Sequence, residues 1–192
     1  MMWCVEYIWI DNDGNLRGKT KIMSGSNDCN YRCKSDGESI LKNLPIWNYD
    51  GSSTGQATTE NSEVLIKPIR VIDDPFNRSE TGDVHYYIAL CETLNINEKP
   101  HSTNTRSKAL KIFSQKSDHI KPLFGIEQEF FISRMVAGNL LPVGFSSNNF
   151  MPRPQGDYYC GVGGNNIYSR NIIEELRDNL LYSCIPITGG KC

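Results

Sequence analysis

The sequence predicts an α+β chain, mostly β over its first hundred residues and mixed helix and strand after them. Three observations carry this. "WCVEYIWID" is β-branched and aromatic, and Asp13-Gly14 follows it as a hairpin signal. Two further β-rich runs, "SEVLIKPIRVI" and "VHYYIALCETL", lie before residue 95. Beyond the polar break "NINEKPHSTNT", two stretches carry an apolar stripe at helical spacing, with the strand-like "LFGIEQEFFI" between them.

Taken in order, the chain opens with a β-hairpin, Trp3 to Ile10 and Leu16 to Ile22. "SGSNDCNYRCKSDGES" is polar and Gly/Ser-rich and reads as a loop. "SEVLIKPIRVI" reads as a strand interrupted near Pro68, which suits a sheet edge because proline has no N–H for a ladder. "DDPFNRSETGD" is a turn and "VHYYIALCETL" the next strand. A domain boundary near Pro100 separates residues 1–99 from 100–192. "STNTRSKALKIFSQKS" is helical, capped by Ser102 or Thr103, with Ala109, Ile112 and Phe113 as its apolar stripe. "LFGIEQEFFI" reads as a strand, and a Pro/Gly/Asn-rich loop runs to about residue 166. Ser169 caps a second helix in which Ile172, Ile173, Leu176 and Leu180 share a face, and Pro186 requires that helix to be over. No internal repeat is visible.

Composition excludes several classes. The 192 residues are 39% hydrophobic, with 20 basic and 22 acidic side chains and a net charge of −2. There is no basic stripe for nucleic acid and no apolar run approaching the ~20 residues that span a bilayer. "MMWCVEYIWI" lacks the basic start and long apolar core of a signal peptide. Seven cysteines are an odd number, and the Cys29/Cys33 pair has no second pair at zinc spacing, so reduced thiols in a cytoplasmic protein are expected. His85, His101 and His119 are scattered and read as surface or loop residues.

Two acidic stretches stand out. In "FGIEQEF", strand geometry puts Glu127 and Glu129 on one face with Cα atoms roughly 7 Å apart. That spacing by itself reads first as a solvated acidic face; a divalent cation held between hard oxygen ligands is the other reading. In "WNYDGSSTGQATTENSEVLI", Asp50-Gly51-Ser52-Ser53-Thr54 is turn chemistry, since Gly51 tolerates positive φ and the hydroxyls can bond local backbone.

Asp50-Gly51-Ser52-Ser53, followed after seven residues by Asn61-Ser62-Glu63 and then Ile66, resembles the N-terminal signature of glutamine synthetases. "KPLFGIEQEFF" resembles the family's first metal-ligand strand. "NNFMPRPQGDYYCGVGG" with its following helix resembles the next segment of the eukaryotic-type enzymes. The three blocks keep the family's order and cover nearly the whole chain.

The resemblance implies a β-grasp-like N-terminal domain followed by the first segment of an incomplete α/β catalytic domain. It implies a reaction in which ATP phosphorylates the γ-carboxylate of glutamate and ammonia displaces phosphate to give glutamine. Glu127 and Glu129 then match Mg²⁺ or Mn²⁺ ligands, and Asp50 matches the residue that binds ammonium and takes its proton. Gly51, Ser52 and Ser53 shape the loop. Leu123 departs from the aromatic residue that many eukaryotic-type relatives carry near the nucleotide. The family's further carboxylate ligands, its loop for ATP and glutamate, and its phosphate-neutralising arginines have no counterpart before Cys192. The expectation is a truncated glutamate–ammonia ligase relative, inactive as this chain alone, with an incomplete metal site. The alternative is a non-catalytic partner that docks on full-length glutamine synthetase subunits and donates the Asp50 loop.

Overall fold

The computed structural model describes residues 1–25, 37–115, 120–143, 154–164, 166–167 and 169–190. The chain divides into two compact units, Met1–Ile120 with Tyr182–Cys184, and Lys121–Leu181 with Ile185–Cys192. Cys29, Cys33 and His119 lie outside the described residues.

The first unit is built on a five-stranded sheet. Its strands are β1 (Met2–Ile10), β2 (Leu16–Ser24), β3 (Trp47–Asp50), β4 (Glu63–Asp73) and β5 (Val84–Leu94), in the order β2-β1-β5-β4-β3. β1 and β5 are parallel and the other pairs antiparallel. On β1 the buried residues Trp3, Val5, Tyr7 and Trp9 alternate with less buried neighbours, the period-two pattern of a strand with one face on a core. Ile66, Val71, Tyr87 and Ala89 fill the same face, and helix α1 (Gly37–Asn43), with the residue just after it, adds Ile40 and Leu44. Trp3 meets Tyr87, and Tyr7 meets Trp47, edge to face at 5.8 and 5.5 Å between centroids, the arrangement that the ring quadrupole favours. The sheet is curled. Lys19 on edge strand β2 donates from Nζ to the Asn48 carbonyl on the opposite edge strand, β3, at 2.8 Å. Lys19 and Lys21 both lie over the Trp47 ring. Burial, and then the neighbouring Lys21 charge, hold the Lys19 ammonium below its ordinary value.

The opening hairpin forms where the sequence predicts it, with every pair from Met2–Ser24 to Ile10–Leu16 in register. Asp11 organises its turn. The carboxylate is almost wholly buried and accepts from the Asp13 and Asn15 amides at 2.9 and 2.8 Å, and from Arg17 Nε at 2.8 Å. Gly14, at φ +85°, takes the left-handed turn position.

Three expectations need correction here. β4 is not an edge strand, since β3 lies outside it. Pro68 is accommodated because β3 pairs only with Glu63–Ile66, leaving that side of β4 unpaired at Pro68, and because the β4–β5 register shifts between Pro68 and Arg70. Helix α2 (Thr105–Ser114) is capped by Asn104 rather than Ser102 or Thr103. Asn104 is buried, accepts the Ser107 amide at 3.0 Å and donates to the Thr93 carbonyl at 3.0 Å, so one amide both caps the helix and ties it to β5. The apolar residues of α2, Leu110, Ile112 and Phe113 among them, are exposed rather than buried.

In the second unit, β6 (Ser133–Val136) and β7 (Asn139–Pro142) form a hairpin that the sequence reading did not isolate. Ala137 and Gly138 both have positive φ, as a type I′ turn requires. The strand expected over "LFGIEQEFFI" does not form. Residues 120–132 carry no regular structure. A strand needs a ladder partner, and among the described residues the two strands of this unit pair with each other through a two-residue turn, where loop closure costs least. Helix α3 (Arg170–Tyr182) follows Ser169 and ends before Pro186, as required. Cys184 takes a left-handed φ of +53° and the Ile185 amide returns to the Leu180 carbonyl at 3.0 Å, a Schellman-type closure.

The Asp11 turn yields a test. Burial alone would raise the Asp11 carboxyl, but hydrogen bonds led by the Asn15 amide and Arg17 outweigh it and hold the carboxyl below its ordinary value. A depressed folded value gives stability that is present above the unfolded value, about 3.9, and is lost as pH falls through the folded one. Asp11→Asn is therefore expected to lower the urea midpoint at pH 7. Its deficit against the parent should shrink as the pH drops below about 3.9, measured by fluorescence-detected unfolding across that range.

Candidate functional site

The Asp50 loop is the most highly organised polar feature of the first unit. β3 delivers Asp50 to its end, paired with Glu63 on β4. A single 3-10 turn, Gly51–Thr54, follows at once. Asp50 has extended backbone, φ −77° and ψ +98°, and caps this turn. Its Oδ1 accepts from the Ser52 amide at 3.0 Å and from the Ser52 hydroxyl at 2.6 Å. The side chain is exposed. The Ser52 hydroxyl first, then the Ser52 amide, hold the carboxyl below its ordinary value, with a further contribution from Ser62. The group is thus a fixed anion at neutral pH, presented to solvent from a rigid turn.

Gly51 explains the rigidity. It is buried, and its amide donates to the Ser62 carbonyl at 2.6 Å. Its carbonyl accepts from the Gln56 amide at 2.8 Å, the Ala57 amide at 3.1 Å and the Thr54 hydroxyl at 3.1 Å. A Cβ at this position would lie 2.4 Å from Val64 Cγ2. Glycine is therefore required by close approach, not by positive φ. Gly55, at φ +69°, closes the turn, and its Cβ position faces Asn12. The Asn12 amide donates to the Thr54 carbonyl at 3.3 Å, so the β1–β2 turn abuts the loop. Ser53 is exposed in the middle of the turn.

Two residues that the sequence reading passed over hold the loop from behind. Gln56 is buried: its Nε2 donates to the Ile10 carbonyl at 3.3 Å and to Thr103 Oγ1 at 2.9 Å, and its Oε1 accepts from the Tyr49 hydroxyl and shares the Thr54 hydroxyl proton with the Gly51 carbonyl. Burial pushes the Tyr49 phenol up to about 12, so it remains a donor. His101 is also buried, which corrects the surface reading of that histidine. Its Nδ1 accepts from the Thr103 amide at 3.2 Å, so the proton sits on Nε2, which donates to the Gln56 carbonyl at 2.7 Å. A lone Gln and a lone His carry no spacing signal. Only the "TGQ" adjacency to the Asp50 turn could have drawn attention to Gln56.

Glu127 and Glu129 stand differently. They belong to the second unit, in a stretch without regular structure, and both are exposed. Among the described residues no three His, Cys, Asp or Glu side chains cluster closely enough to hold a metal ion. Two exposed carboxylates supply only part of the octahedral oxygen cage that Mg²⁺ demands.

No protein-family model matches the chain. Curated glutamine synthetases do. The glutamine synthetase of Panulirus argus is 40% identical over 184 residues, which is 95% of this chain and 45% of that protein. The enzyme of Streptomyces viridochromogenes is 38% identical over 192 residues, 98% of this chain and 50% of the relative. The glutamine synthetase cytosolic isozyme of Daucus carota is 37% identical over 185 residues, 96% of this chain and 47% of the relative. This chain belongs to the glutamine synthetase family. It spans about half the length of the curated relatives it matches. The mixed α+β architecture with its curled sheet is compatible with a β-grasp-like domain of a glutamine synthetase.

Because a Cβ on Gly51 meets Val64 at 2.4 Å, Gly51→Ala is expected to destabilise the first unit by about 1–3 kcal/mol, the usual cost of overpacking. Thermal unfolding followed by circular dichroism checks this, and an unchanged midpoint would show that the turn can open to admit a methyl group.

Proposed function

We propose that this glutamine synthetase-family chain supplies the Asp50 loop of a site for ATP-dependent ligation of ammonia to glutamate, and that it does not turn over by itself. The observation that carries this is the Asp50 carboxylate, fixed by Ser52 and ionised at the tip of a crowded turn. An anion so placed attracts ammonium by charge. Its depressed proton affinity makes it a better cation ligand than base, because general bases work best when their pKa lies near the operating pH. Ammonium capture is therefore its first task, and passing a proton to Oδ2 on the way to free ammonia is the slower one. In this reading residues 1–99 are the β-grasp-like N-terminal domain and 100–192 the first segment of the catalytic domain. The chain's location is cytoplasmic, as the name of the Daucus carota relative suggests for that protein. Glu127 and Glu129 are the proposed contributors to an Mg²⁺ or Mn²⁺ site that these residues alone leave incomplete.

A second reading has its own support. In the second unit Leu123, Ile126 and Phe131 are 96%, 90% and 86% exposed. Large apolar side chains left this open favour contact with another chain. A full-length glutamine synthetase subunit that covered them would gain the Asp50 loop in exchange.

One experiment serves both readings. A full-length glutamine synthetase whose matching aspartate is changed to alanine is co-expressed with this chain. Glutamine formation that returns, and is lost again in Asp50→Ala, supports a donated loop; co-purification without Asp50-dependent rescue defeats it. The purified chain alone is expected to form no glutamine above a heat-killed control. Titration with Mn²⁺ by calorimetry is expected to show weak binding that Glu127→Gln and Glu129→Gln abolish. Submicromolar affinity would mean that further ligands complete the site.

A further inference from the structure

We infer that His101 and Gln56 are positioning residues that set the orientation of the Asp50 carboxylate through the buried chain His101–Gln56–Tyr49/Gly51. The inference rests on the reading of Asp50 as the ammonium-binding group only for its biological meaning, not for its geometry.

The geometry is that of a fully used connector. Gln56 makes six hydrogen bonds: to Ile10, Thr103, Tyr49, Thr54, Gly51 and His101. Two of these, to Tyr49 and Gly51, go to the residues on either side of Asp50. A third, to Thr54, holds the far end of the turn that Asp50 caps. The remaining three reach outward to β1 and to the segment after β5. That segment is itself anchored, since the His101 amide donates to the Thr93 carbonyl at 3.1 Å and the Asn104 amide to the His101 carbonyl at 2.9 Å. His101 is the pivot. Its Nδ1, which accepts the Thr103 amide and so carries no proton, meets Thr103 Oγ1 at 2.8 Å; the hydroxyl is therefore the donor there, while its oxygen accepts from Gln56 Nε2. The imidazole then gives its own proton to the Gln56 carbonyl at 2.7 Å. The result is a closed ring, Gln56 amide to Thr103 hydroxyl to His101 to Gln56 carbonyl, in which every polar atom has a defined direction. Buried rings of this kind hold one arrangement, because any rotated member leaves an unpaired group.

Nothing in this ring touches the Asp50 carboxylate. Its effect must pass through the backbone of Tyr49 and Gly51 to the angle at which Ser52 meets Oδ1. Removing the imidazole donor frees the Gln56 carbonyl, loosens the Gly51–Thr54 turn and lengthens the Ser52 contacts. The Asp50 carboxyl should then titrate closer to an ordinary aspartate. His101→Gln keeps a donor at the Nε2 position, whereas His101→Leu does not.

The test is a carboxyl-detected NMR titration of Asp50 in the whole chain. The parent, His101→Leu, His101→Gln, Thr103→Val and, as a control, Ile40→Ala in the core beneath α1 are compared. The expected result is an upward shift of the Asp50 titration in His101→Leu and Thr103→Val, with His101→Gln close to the parent. Ile40→Ala should lose thermal stability with no shift. If His101→Leu does not fold, the milder Thr103→Val against His101→Gln carries the comparison. An unshifted Asp50 in every folded network variant would overturn the proposal, as would an equal shift in Ile40→Ala. A network-dependent shift in a chain that fails the Asp50 rescue above would leave the positioning role standing and remove the ammonium reading, so the two can fail separately.

Discussion

The inward row of β1 is the constraint on which the first unit depends. Trp3, Val5, Tyr7 and Trp9 occupy every second position and are all buried. A slip of one residue would put two indoles and a phenol into water, so register is strongly specified. Removing each such side chain from water is worth about 1.5–3 kcal/mol, far more than any single polar contact at the rim. The same row sets the curl. Tyr7 meets Trp47 and Trp9 meets Tyr49, so β3 packs across the face of β1 although β5 and β4 lie between them in the sheet order. The end of β3 is Asp50, and its place is inherited from that packing.

The Asp50 turn is then fixed by crowding and by polar satisfaction together. Val64 excludes any side chain at residue 51, and the Gly51 amide and carbonyl are both bonded. The β1–β2 turn supports one side through Asn12, and Asp11, paired with Arg17, stiffens that turn in its own right. Gln56 and His101 support the other side. An exposed carboxylate at the tip of a braced turn costs the protein little solvation, yet its direction is not free. That combination suits a charge that must meet a small cation at a fixed place.

In the second unit a motif with strand-like flanks takes no regular structure. "GIEQEF" has the apolar flanks of a buried strand, but Leu123, Ile126 and Phe131 are exposed, and among the described residues no strand of this unit pairs with it. Ala137-Gly138 closes a local hairpin instead, because a two-residue turn needs no distant partner. The spacing of Glu127 and Glu129 was a statement about strand geometry, and without the strand it places nothing.

The sequence by itself determined the opening hairpin, the β5 strand, the existence and approximate place of both longer helices, and membership of the glutamine synthetase family, because these rest on local period, turn residues and motif order. It marked Asp50, Gly51 and Ser52 for the same reason: an Asx turn is written in adjacent residues. Only the tertiary structure decided that β4 is interior, that Asn104 caps α2, and that Gly51 is excluded from bearing a methyl group by Val64. It alone showed that His101 is buried against Gln56, 45 residues away in the chain. Contacts between residues so far apart leave no periodicity behind; they exist only once β1, β3 and the segment after β5 have been brought to the same end of the sheet.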